Sequence, residues 1–133
     1  MATKLAATKK PAFEIANLLD DAADAIRDRS KQAYGAGKMS LDEYMDARAR
    51  ELELRSELQV IVATNLSAVL QQATEAGENI EQAIVDAKTR IESIRSVKNG
   101  LKIVAALVTL AAALASGEVK TIVKAGKAVA DLT

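Results

Sequence analysis

The 133-residue sequence has no cysteine and no histidine. Without cysteine there is no disulfide and no thiolate metal site. Without histidine the commonest general base near neutral pH and the commonest metal ligand are both missing. Tryptophan is absent too, and Phe13, Tyr34 and Tyr44 are the only aromatic residues. The core must therefore be built from alanine, leucine, isoleucine and valine, whose modest volumes let helices approach closely. Pro11 is the single proline, so no later residue breaks a helix by lacking an amide hydrogen.

Charge of one sign is lacking overall: 18 basic and 18 acidic residues cancel. The balance varies along the chain. Lys4, Lys9 and Lys10 stand without an acid in residues 1–12, residues 13–78 are acidic on balance, and residues 79–133 are basic. Neither basic end is strong enough to point to nucleic acid, which calls for a strongly basic domain. The first residues are polar and lack the apolar run of a secretory signal. The expected location is cytoplasmic, or outside the cell by a route that reads no such signal.

What is present is helical periodicity. Residues 1–11 form a basic tail, and 12–133 are long enough for one helical domain with a core of its own. Ile15, Leu18, Leu19, Ala22, Ala25, Ile26 and Ala33 recur at spacings of three and four, which predicts a first helix over Ala12–Tyr34, ended by Gly35-Ala36-Gly37. Ser40-Leu41-Asp42-Glu43 is a capping box that starts a second helix. No breaker follows until Gly77, so this helix is expected to be unusually long. A third helix is predicted from Asn79. The phase of Ile84, Ala87, Ile91 and Ile94 continues in Leu101, Ala105, Val108 and Ala112, so the helix is expected to pass through Asn99-Gly100 to about Ala115. Asn-Gly is itself a turn signal, which favours the competing stop at Gly100. Ser116-Gly117 breaks the chain, and a last helix is expected over Glu118–Asp131.

Short loops make successive helices antiparallel. The expected fold is an all-α antiparallel bundle whose two long central helices make a hairpin, with four helices packed at one end. The hairpin would set Ile84 near Val69, Ile91 near Val62 and Leu101 near Leu52. Its far end, residues 63–91, would protrude bare, and a large exposed apolar patch marks an interaction surface; the competing reading is that the first helix lies further along and covers this stripe. Val62, Val69, Ile80, Ile84 and Ile91 are thus the expected interface, for a second copy of the chain or a helical protein partner.

The segment from Ile103 to Gly117 carries no charge. A helix apolar all round is a buried core helix or a membrane segment. At ~22 Å this run is shorter than the ~30 Å hydrocarbon layer, which favours the core. In the alternative, a pore-forming type of membrane activity, Leu107, Leu110 and Leu114 would insert while Lys120, Lys124 and Lys127 met an anionic membrane surface.

Catalytic and cofactor motifs are not found. Gly35-Ala36-Gly37-Lys38-Met39-Ser40 fails as a phosphate loop: Met39 follows the lysine, and Gln32 stands where the first glycine belongs. Asp20, Asp24 and Asp28, like Glu53 and Glu57, are spaced for one helix face, but the bundle di-metal motif also needs histidine. They read as solvated carboxylates. The expectation is a protein that is not an enzyme and holds no cofactor or metal.

Overall fold

The computed structural model describes residues 11–63, 74–93 and 95–133. Among these, five helices and no strand are found: α1 Pro11–Gly35, α2 Leu41–Ala63, α3 Thr74–Ser93, α4 Val97–Ser116 and α5 Val119–Leu132. Pro11 opens α1, a position where its missing amide costs nothing. Residues 64–73, including the expected continuation of the second helix, lie outside the described residues.

The α1–α2 turn follows from two local signals. Gly37 takes φ +72°. The Gly37 amide donates to the Tyr34 carbonyl at 3.1 Å and the Lys38 amide to the Ala33 carbonyl at 2.9 Å, which is a Schellman stop. The capping box then forms as the sequence predicts. The Glu43 amide donates to Ser40 Oγ at 3.1 Å, and the Ser40 amide donates to Glu43 Oε1 at 2.9 Å. Tyr34 and Tyr44 stack across the turn with ring centres 4.7 Å apart. The glycine-lysine segment is thus a helix–helix connection and not a phosphate loop.

Two expected boundaries are corrected. Gly77 lies inside α3, which begins at Thr74; glycine in a helix costs only ~1 kcal/mol relative to alanine, which the rest of the helix offsets. The third helix neither runs through to Ala115 nor stops at Gly100. It ends at Ser93, and Ser96 caps a new helix. Ser96 is extended (φ −81°, ψ 114°), its Oγ accepts from the Asn99 amide at 3.3 Å, and Asn99 and Gly100 fall in the first turns of α4. The apolar phase survives the break, so periodicity alone hid it. The stop at Gly117 is as expected: it adopts φ +75° and its amide donates to the Ala113 and Leu114 carbonyls, both at 3.3 Å.

The break at 95–96 decides the architecture. Helices α2, α1, α3 and α5 stand side by side in that order, each packed on the next, and α4 closes the row by packing mainly on α2 and α5. It also touches α3 and α1. The fold is an all-α helical bundle, as expected. Among the described residues α1 and α4 lie against both α2 and α3, and the far end of the expected hairpin, residues 64–73, lies outside them. Leu52, expected opposite Leu101, is 58% exposed.

The core is aliphatic, as the composition requires. Ile15, Leu19, Ile26, Leu54, Ile61, Ile84, Ile103, Leu107, Leu110, Leu114 and Ile122 are its largest fully buried side chains. Between them lie alanines on α1, α3 and α4, which keep the helices close. At Gly126 on α5 a Cβ would stand 3.0 Å from Ile80 Cγ1 on α3, so glycine is what permits this approach. The charge-free run of α4 is satisfied here: Ile103, Val104, Leu107, Val108, Leu110, Ala111, Ala113 and Leu114 are all buried.

Candidate functional site

The expected interface is only partly placed. Ile80, Ile84 and Ile91 are no more than 3% exposed. Their stripe is real, but α1 and α5 cover α3, so these three isoleucines are core and do not form an open face. Val69 and the side chain of Val62 lie outside the described residues. Leu107, Leu110 and Leu114 are completely buried, and Lys120, Lys124 and Lys127 are exposed along α5.

Among the described residues, an open and largely apolar face lies on α2. Its buried side carries Ala47, Glu51, Leu54, Leu58 and Ile61. On the opposite side Leu41, Met45, Ala49, Leu52, Ser56 and Val60 recur at spacings of three and four, and all six are exposed. Leu41 is 55% exposed, Met45 60% and Leu52 58%, so each leaves most of a large side chain in water. The row is ~28 Å long at 1.5 Å per residue. Helical geometry puts Arg48 and Arg55 along one edge of the row and Asp46, Glu53 and Glu57 along the other. Scattered surface leucines are ordinary, but a continuous row on one helix face is not.

Between this face and the core sits a charge cluster. The carboxylate of Glu51 is 3% exposed and is held by Arg48 and Arg55 of its own helix. Arg55 Nε donates to Glu51 Oε2 at 2.9 Å, and its two terminal nitrogens donate to Asp20 at 3.0 Å and Asp24 at 2.8 Å on α1. Burial acts to lower the pKa of Arg55. Hydrogen bonds to Asp24 and then to Glu51 act to raise it, and the net direction is upward. The guanidinium therefore keeps its charge throughout the ordinary pH range.

Asp20 and Asp24 are thus not merely solvated, as their spacing suggests; Arg55 anchors both. Asp28 is exposed and pairs with Arg27 at 3.2 Å. The carboxylates of Asp20, Asp21 and Asp24 do converge within 4.8 Å. Arg55 already supplies positive charge to two of them, which makes the group an ion-pair cluster and a poor cation cage. The one legible hint of the cluster was the four-residue spacing of Glu51 and Arg55.

Against protein-family models, curated proteins and solved structures, the chain finds no match, so a reading of its function rests on this geometry.

Proposed function

We propose that the chain is a non-enzymatic helical assembly module that self-associates by laying α2 against α2 of a second copy. The observation that carries this is the exposed row Leu41, Met45, Ala49, Leu52, Ser56 and Val60. Pairing two such rows removes apolar surface from water, at roughly 25 cal/mol per Å². Zero net charge offers no long-range repulsion between copies. Arg48 and Arg55 along one edge of the row are already paired with Glu51, Asp20 and Asp24 of the same chain, so the apolar side chains of the row carry the pairing.

Sedimentation velocity tests this. The wild type is expected to dimerise with rising concentration, and the Met45→Lys/Leu52→Lys variant to stay monomeric with unchanged helical circular dichroism. Because the chain has no cysteine, single-cysteine variants report orientation cleanly. Leu41→Cys and Val60→Cys should each cross-link to themselves in a parallel pair. A wild type that remains monomeric at millimolar concentration rules this reading out, and capture of a different helical protein by the same row would reassign its partner.

A second reading, membrane activity, is supported by α4. At 20 residues it is long and apolar enough to cross a bilayer, and the lysines of the adjoining α5 suit an anionic surface. Insertion would require α4 to leave its packing between α2 and α5. Dye release from anionic vesicles at neutral or mildly acidic pH would support it. Intact vesicles at both pH values would remove it.

A further inference from the structure

A cavity of about 180 Å³ opens where the C-terminal ends of α1 and α3 meet the N-terminal ends of α2 and α4. It is separate from the α2 row, none of whose six residues lines it. Its inner wall is aliphatic: Ile26, Ala33, Ala47, Ile91 and Val104 line it and all five are buried. Its rim is cationic. Lys38 comes from the α1–α2 turn and Arg95 from the α3–α4 link, both exposed, with Arg29 of α1 between solvent and core. Among the described residues no carboxylate lines it.

The start of α4 forms part of the same wall through Ser96, Val97 and Gly100. The Asn99 amide is taken by Ser96 Oγ and the Gly100 amide by the Ser96 carbonyl. The amides of Val97 and Lys98 have no partner within the helix, as holds for any first turn. No acidic residue stands in that turn to meet the positive end of the helix dipole. Cationic side chains from two connections and a helix N-terminus therefore converge on the mouth of an apolar hole.

We infer that this cavity binds a small organic anion: a carboxylate or phosphate on an apolar body about the size of one aromatic ring. The size follows from the volume, since an apolar cavity of ~150 Å³ takes up benzene. The charge follows from the rim. A head group at the mouth receives charge-assisted hydrogen bonds from Lys38 and Arg95, with the arginine fork suited to two oxygens at once. The body covers the aliphatic inner wall, removing it from water and making dispersion contacts with it.

The test is a methyl-detected NMR titration of the full chain with benzoate, phenyl phosphate and benzyl alcohol. Benzoate or phenyl phosphate is expected to shift the methyl signals of Ile26, Ile91 and Val104 saturably, and benzyl alcohol to bind at least about tenfold more weakly. The Lys38→Glu/Arg95→Glu variant, altered only at exposed positions, should lose about tenfold or more in affinity for the anions while keeping its melting temperature. Equal binding of benzyl alcohol, undiminished affinity in the variant, or shifts confined to other methyls would each overturn the inference. Because the α2 row takes no part, a monomeric wild type leaves this result standing, and an empty cavity leaves the assembly reading standing.

Discussion

Leu110→Ala is expected to lower the free energy of unfolding by about 3–4 kcal/mol, within the range for leucine deletions that leave a cavity. The size of the effect comes from where α4 lies. Leu110 is fully buried, and its helix packs against α2 and α5 while also touching α1 and α3. How much such a site recovers depends on whether its neighbours can collapse into the hole. Here many of the buried residues around the leucines are alanines, among them Ala111, Ala113 and Ala125. Alanine has no side-chain rotamer through which to refill a void, so relief would require whole helices to shift. A domain of this size is stable by only ~5–15 kcal/mol, so one side chain carries a large share. Urea unfolding followed by circular dichroism is the measurement, with an unchanged dependence on denaturant confirming that the native state is what changed. Val123→Ala on α5, 44% exposed, is the control and should cost less than ~0.5 kcal/mol. A loss below ~1 kcal/mol at Leu110 would mean that α4 is not the helix that closes the core.

The elements whose ends are set by local chemistry were legible in the sequence. The capping box at Ser40–Glu43, the glycines at 37 and 117, and the 3–4 spacing of α1 each act through neighbouring backbone groups, so a reader of the sequence sees what the chain obeys. The break before Ser96 also has a local cause, a serine cap. It was masked because the apolar phase of Ile84, Ala87 and Ile91 continues into Leu101 and Val108, and periodicity cannot distinguish one helix from two that share a phase. That single break then determines what pairs with what. Once α4 is free to turn against α2, α3 falls to α1 and α5, and the stripe of Ile80, Ile84 and Ile91 becomes core.

The candidate site was less legible than the fold, and α2 shows why. Its apolar residues stand on two opposite faces, Leu54, Leu58 and Ile61 inward and Leu41, Met45 and Leu52 outward. Two stripes half a turn apart cancel the amphipathic signal, so the sequence gives no cue as to which one the bundle covers. The cavity rim was hidden for a different reason. Lys38 and Arg95 lie in separate connections 57 positions apart, and only the packed fold brings those connections to one end of the bundle. Charge pairing across helices has the same character: Arg55 and Asp20 are 35 residues apart.

Arg55→Ala should cost about 2–4 kcal/mol, and nearly all of that should arise at Glu51. Arg55 meets three carboxylates, but Asp20 and Asp24 keep 55% and 44% of their side chains in water, and exposed pairs contribute little. Glu51 differs: its side chain is 3% exposed. Removing Arg55 leaves that buried carboxylate with Arg48 alone, and an under-compensated buried charge is costly. The complementary variant separates this cause from simple loss of attraction. Glu51→Leu removes the buried charge and leaves two arginines that are 33% and 28% exposed, so both still reach water. It should cost less than ~1 kcal/mol, even though it breaks two ion pairs at once. Salt adds a further discriminator. In ~1 M salt the screening length falls to about 3 Å, which silences the Asp20 and Asp24 contacts but not the one inside the protein. The penalty of Arg55→Ala should therefore persist in high salt. If Glu51→Leu proves as damaging as Arg55→Ala, or if salt erases the difference, the cluster stabilises by surface attraction and the burial of Glu51 is not what makes Arg55 indispensable.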